Sequence, residues 1–184
     1  MSLTLTSMAP ATGSSIDLSA GTQLQHEGKV IQTVTVRSDV RTTFSAPNSG
    51  NGTPITNLRL TITPSRSDSW IWLRWTLFYE MHHDTVFLVQ QDGSLIGFNT
   101  YRGNVRWSGI LTPLYDNDYA STPQNSTINW FVRAGSTASR YYDLAVRSSS
   151  SGNYTLALNR PNGSTGTDSN EVGVSYGFAR EISG

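Results

Sequence analysis

The one concentration of metal-ligating side chains in this chain is Glu80-Met81-His82-His83-Asp84. Imidazole and carboxylate are ligands that zinc and related ions take. Consecutive residues of a strand point to opposite faces, so His82 and His83 reach one ion only if a turn intervenes. A polar loop tip accounts for the same residues without any ion, and the sequence reading assigns no metal ligand. A second chemistry, glycoside hydrolysis, would call on Asp116 and Asp118, in a loop that also holds Tyr115 and Tyr119. It needs two carboxyl groups facing each other across the scissile bond, about 5–10 Å apart. Two carboxylates on one loop seldom achieve that, and Asp and Asn near Pro are ordinary turn residues. No Gly-x-Ser-x-Gly elbow, phosphate loop or dinucleotide fingerprint occurs. The expectation is a non-enzymatic protein with no catalytic residue and no cofactor.

Aromatic residues offer a different chemistry. Tyr101, Trp107, Tyr115 and Tyr119 fall in a long irregular stretch, residues 99–125, interrupted by Pro113 and Pro123. Rings on loops stack on sugars or anchor a protein partner, which makes these four candidates for contact with a receptor or glycan. The plainer alternative is that Trp107 and Tyr115 fold back over one end of the domain.

These residues need a scaffold, and composition bounds it. A chain of 184 residues fits one domain plus an extension. Charged residues make up 14%, against roughly 25% in an average globular protein, and the polarity comes from Ser, Thr, Asn and Gly. That mixture suits short strands joined by turns. The formal net charge is zero, which provides no long-range attraction to nucleic acid or an anionic membrane. Lys29 is the single lysine and the other twelve basic residues are arginines, a bias shared by interfaces. Without cysteine there is no disulfide and no thiolate zinc site. The start of the chain lacks a secretory pattern and no run approaches the ~20 apolar residues of a span, so the expectation is cytoplasmic synthesis without membrane insertion.

Residues 1–28 keep no sustained period, yet carry Leu3, Leu5, Met8, Ile16 and Leu18. They read as an arm for attachment, since a solvated linker gains nothing from such side chains. From Gly28 alternation takes over. Val30, Val34 and Val36 share one parity, continued by Val40, Thr42 and Phe44; Leu58, Leu60 and Ile62 alternate next, and Pro64 ends that strand. Trp70 to Tyr79 is apolar at nearly every position and predicts a central strand covered on both sides. Its purely apolar parity, Ile71, Leu73, Trp75, Leu77 and Tyr79, should face the core. The other parity, with Trp70, Trp72, Arg74 and Phe78, has the aromatic and arginine content of a subunit interface. Asp92-Gly93 between apolar runs predicts a tight hairpin. Further strands are expected at 127–132, 140–146 and 154–158, with a closing strand holding Val172, Val174, Tyr176 and Phe178. Eight to ten strands without a convincing helix predict an all-β sandwich or jelly roll over residues 29–184.

Three stretches resemble the jelly-roll virion surface proteins of bacteriophages, including capsid decoration, head-fibre and tail-fibre domains of cyanophages and marine phages. They are Gly28-Lys29-Val30-Ile31-Gln32-Thr33-Val34, the loop Asp118-Tyr119-Ala120-Ser121-Thr122-Pro123, and Leu156-Ala157-Leu158-Asn159-Arg160 with Thr167-Asp168-Ser169 after it. The chain departs from that pattern around residues 64–82, where the Trp-rich strand lies. The resemblance implies a homotrimer on a virion surface, whose partners are further copies of itself and other virion proteins of capsid or tail, with a host surface glycan as a further partner. Capsid decoration or cementing is the first expectation, because 28 irregular residues cannot form a fibre shaft. The alternatives are a short tail-fibre or receptor-binding tip, and a monomeric carbohydrate-binding module.

Overall fold

The computed structural model describes residues 27–98, 109–114, 121–163 and 171–184. Within them lie eleven strands: β1 (Val30–Ser38), β2 (Thr42–Ala46), β3 (Thr53–Pro54), β4 (Leu60–Ile62), β5 (Trp70–Met81), β6 (Thr85–Gln91), β7 (Ser94–Gly97), β8 (Gln124–Arg133), β9 (Arg140–Ser148), β10 (Tyr154–Leu158) and β11 (Ser175–Ile182). A single 3-10 turn, Thr56–Leu58, interrupts them. None of the described helices is long and apolar enough to cross a membrane.

The strands form two antiparallel sheets, one of six strands and one of five. In the first, β11 pairs with β5 from Trp70 to Thr76 and β10 continues the same line from Tyr79 to Met81. Strands β1 and β2 run end to end beside β11 and β10 in the same way, and β8 flanks the other side of β5. In the second sheet β3 and β4 share one line against β9, which pairs with β6, and β6 with β7. Numbered along the chain, the lines fall in the order 1-8-3-6 in one sheet and 2-7-4-5 in the other. This is jelly-roll connectivity.

Period-two burial explains why these segments are strands. Ile71, Leu73, Trp75, Leu77 and Tyr79 are all fully buried, so the purely apolar parity of β5 does line the core. They meet Phe87, Val89, Tyr142, Leu144 and Val146 from the second sheet in one cluster. Tyr79 and Phe87 touch edge to face, with ring centroids 5.1 Å apart. Trp75 fits because its neighbour on β11 is Gly177, where a Cβ would lie 2.7 Å from the indole. Its Nε1–H donates to Leu58 O across the sandwich at 2.9 Å. At the β6–β7 turn Asp92 and Gly93 both adopt positive φ, +49° and +80°, as the dipeptide predicts.

Several local expectations are corrected. Leu58 belongs to the 3-10 turn, so that strand is only Leu60–Ile62; the turn delivers the carbonyl that receives Trp75. Val40 lies exposed between β1 and β2, where the line breaks. Val172 and Val174 precede β11 and are exposed, because the chain there steps over Phe78 at Gly173, whose Cβ position lies 2.2 Å from the Phe78 ring.

Three buried polar side chains fasten the loops. Glu181 accepts from Gln32 Nε2 (2.6 Å), Ser65 N (2.9 Å), Ser65 Oγ (2.9 Å) and Arg66 N (3.1 Å). Glu80 accepts from Thr122 N (2.8 Å), Thr122 Oγ1 (3.1 Å) and Asn162 N (2.5 Å), which gives the Thr-Pro loop before β8 its anchor. Asn159, fully buried at φ +59°, donates through Nδ2 to Ser38 O (2.9 Å) and Val40 O (3.1 Å). Its Oδ1 accepts from Ser175 Oγ (2.7 Å) and its N–H donates to Phe78 O (2.8 Å).

Two predictions follow from these clasps. Asn159→Asp keeps the size but removes both Nδ2 donors and sets a carboxylate against two carbonyls; it should cost about 2–4 kcal/mol in urea unfolding, with the slope unchanged. For Glu181, burial pushes the carboxyl up, but the bonds from Gln32 and Ser65 outweigh burial and hold it below its ordinary value of 4.5. A depressed folded-state value contributes stability above that pH, lost as pH falls through the folded value. Melting followed from pH 7 downward should show a drop below about pH 4.5 that Glu181→Gln, already weaker at pH 7, lacks.

Candidate functional site

The candidate site is the outer face of the first sheet. Because β5 alternates strictly, burying its apolar parity turns Trp70, Trp72, Arg74, Thr76 and Phe78 outward. Register then decides what joins them. Trp72 lies between Arg180 of β11 and Phe131 of β8; Trp70 lies between Ile182 and Arg133; Arg74 lies between Phe178 and Asn129. Thr33 and Thr35 of β1 extend the rows beyond Arg180 and Phe178.

The side chains interlock. Trp72 stacks on Phe131 at 5.7 Å between centroids with 7° between planes, and meets Phe178 edge to face at 5.1 Å. Its Nε1–H donates to Asn129 Oδ1 at 3.2 Å. The Arg133 guanidinium lies 4.0 Å from the Trp70 ring centroid and donates to Asp68 O at 2.6 Å. Arg180 lies 4.3 Å from Phe178 and 5.4 Å from Trp72. Such cation–π contacts contribute about 0.5–1 kcal/mol each when exposed. Trp70, Phe131 and Ile182 line an open depression of about 330 Å³. Trp70 remains 38% exposed, Phe131 54% and Tyr176 51%. The one carboxylate of this parity on β5, Glu80, is buried at the far end of the strand beneath Thr122 and Asn162; none lies between Trp70 and Phe78 or at an outward position of β8 or β11, and Arg74 Nε has no hydrogen-bond partner among the described residues.

The second sheet is built the other way. Its outward residues Val86, Leu88, Gln90, Asp143, Ala145 and Arg147 are all buried. Leu95 and Phe98 pack over Val86, Leu88 and Ala145. The turn after β2 folds across: Gln90 Nε2 donates to Asn51 O, and Arg147 donates to Asn48 O and Gly50 O. Arg59 forms a two-pronged pair with Asp143 at 2.9 and 2.7 Å. One sheet is sealed on both faces by its own chain, and the other presents rings.

Of the interface residues expected from sequence, Trp70, Trp72 and Arg74 lie together on this face. Phe78 is set apart beneath Gly173. Phe131, Arg133, Phe178, Arg180 and Ile182 complete the patch, and sequence reasoning left them unassigned. Their parity in β8 and β11 was a usable signal, but which strands flank β5 was not. The arm residues Leu3, Leu5, Met8, Ile16 and Leu18, the loop aromatics Tyr101, Trp107, Tyr115 and Tyr119, and Asp116 and Asp118 lie outside the described residues.

Fold and face together define an all-β jelly-roll sandwich with one exposed aromatic sheet. No protein-family model matches the chain, and no curated protein matches it. Among solved structures, a chain of infectious bursal disease virus, Gt strain, is 12% identical with a TM-score of 0.38, over 93% of this chain and 42% of that one. A chain from T=1 particles derived from infectious bursal disease virus is 13% identical with a TM-score of 0.37, over 93% and 41%. The chain therefore spans less than half the length of either.

The two parities of β5 should separate cleanly under mutation. Trp75→Ala, which opens the core and strands Leu58 O, should cost about 3–5 kcal/mol in thermal or urea unfolding. Trp70→Ala, on the outer face, should leave the β-sandwich folded, with far-UV circular dichroism unchanged.

Proposed function

We propose that this chain is a non-enzymatic structural protein of a bacteriophage virion, a surface protein that forms a homotrimer and decorates or cements the capsid. The observation that carries the reading is the contrast between the two sheets. A chain that seals the second sheet so thoroughly leaves on the first a contiguous set of Trp, Phe, Ile and Arg. Exposed patches of this composition mark contact surfaces. A second copy of the chain is the occupant, bringing these rings together around the symmetry axis. The resemblance of Gly28–Val34, Asp118–Pro123 and Leu156–Arg160 to phage virion domains supports the particle as the setting. Residues 1–28 serve as the attachment arm to capsid or tail proteins.

A short tail-fibre tip differs from this only in where the arm docks. A carbohydrate-binding module is the other reading, favoured by the open depression at Trp70. Against it, Arg133 already covers one face of the Trp70 ring, and Trp72 is engaged by Phe131 and Phe178.

Sedimentation velocity tests the proposal. The parent chain should run as a trimer, and Trp72→Ala should weaken association by about 30-fold or more, the loss of a hot-spot ring, while circular dichroism stays β-rich. A monomeric parent, or a Trp72→Ala protein that remains fully trimeric with unchanged melting, overturns it. Gly28 N–H and Lys29 N–H already donate to Ser183, so an arm deletion should stop at residue 26. That deletion should leave a folded trimer that no longer joins particles; binding at native stoichiometry would remove the arm's role.

A further inference from the structure

We propose that the turn between β5 and β6 is a binding site for a divalent transition-metal ion of the zinc class, held by His82, His83 and Asp84. The objection raised by the sequence was that neighbouring strand residues diverge. Strand β5 ends at Met81 and β6 begins at Thr85, so all three residues lie in the turn and the objection lapses. One ligand atom from each lies within 4.8 Å of the others. In a tetrahedral zinc site with bonds near 2.1 Å, ligand atoms stand about 3.4 Å apart. Side-chain adjustments of about an ångström close that gap, since each terminal torsion has a broad well.

The turn is held as a site rather than left as a solvated tip. The His82 and His83 rings lie 4.0 Å apart, tilted by 31°, which holds the two imidazoles face against face. Tyr154 of β10 stacks on His82 at 4.0 Å with 3° between planes. The same tyrosine donates its hydroxyl to Asp84 Oδ2 at 3.4 Å and contacts Ser150 Oγ at 3.1 Å. One residue from another strand thus orients two of the three ligands, the role that outer-shell partners play around bound metals. Ser149 N–H donates to Asp84 O at 2.8 Å and Thr85 Oγ1 to His82 O, which fixes the backbone. His82 Nδ1 accepts from Asp84 N–H at 3.0 Å; coordination through Nδ1 exchanges that amide for the ion and leaves the ring proton on Nε2. Two imidazoles and one carboxylate select zinc, cobalt or nickel over calcium and magnesium, which take oxygen ligands. Three protein ligands leave a fourth position for water.

The test uses the full-length protein without a histidine tag, titrated with zinc chloride, cobalt chloride, and magnesium and calcium chlorides as controls. At zinc a hundred-fold above its dissociation constant the melting temperature should rise by roughly 5 °C or more, with no rise from magnesium or calcium. Cobalt should give the visible absorption of a low-coordinate site at one ion per chain. His83→Ala and Asp84→Asn should abolish both signals, and His26→Ala, which removes the remaining histidine, should keep them. Absence of a zinc-dependent rise in the parent, an equal rise in His83→Ala, or its loss in His26→Ala would overturn the site. If the two ligand variants do not fold, the parent's cobalt spectrum decides alone: visible bands at one equivalent sustain the site, and their absence sinks it.

Discussion

Two lines of the first sheet break at the same height, and the buried Asn159 side chain holds both breaks. The line of β1 and β2 bends at residues 39–41, and the line of β10 and β11 leaves the sheet at Asn159 and returns at Ser175. A broken line strands backbone carbonyls, and buried carbonyls without donors are costly. Asn159 supplies donors to Ser38 O and Val40 O from one amide, receives Ser175 Oγ on the other, and ties its own N–H to Phe78 O on β5. Only a short side chain that tolerates positive φ and both donates and accepts can do this, which is Asn. With the breaks secured, β5 keeps neighbours along its length, and its outer face is continuous from Trp70 to Thr76.

That continuity gives the asymmetry between the sheets its meaning. The second sheet buries polar residues on its outward side and gives them partners: Asp143 to Arg59, Gln90 to Asn51 O, and the terminal nitrogens of Arg147 to the carbonyls of Asn48 and Gly50. Such a face is finished. The first sheet spends its rings on one another only in part, since Trp72 engages Phe131 and Phe178 while Trp70, Phe131 and Tyr176 remain substantially in solvent. A surface that orders its aromatic side chains in advance loses little rotamer entropy on meeting a partner. The face is preorganised rather than merely apolar.

What the sequence made legible follows from the range of the signal. The parity of β5 could be read because alternation is local, and Asp92-Gly93 because its positive φ angles are a property of two residues. The jelly roll could be anticipated from strand count and the absence of helices. Which strands flank β5 could not, since Arg180, Phe131 and Arg133 reach Trp70 and Trp72 through pairings more than fifty residues apart. For the same reason Phe78 looked equivalent to Trp72, though Gly173 covers it. The His82-His83 pair turned on whether the strand ended at Met81 or ran on, a difference of one or two residues that pattern alone does not resolve.

The arginine bias acquires a structural explanation in the same way. Arg133 and Arg180 lie over Trp70 and Phe178, Arg59 grips Asp143 with two nitrogens while covering Tyr141 at 4.0 Å, and Arg140 reaches Ala134 O and Ser136 Oγ. Each use draws on a planar cation with several fixed donors, and an ammonium group, compact and strongly hydrated, would supply the charge without the plane or the fork. In a chain with so few charges, these four cations cover rings or hold carbonyls and a carboxylate. On the first sheet guanidinium and ring lie together on the outer face, which joins cationic donors to an apolar surface there.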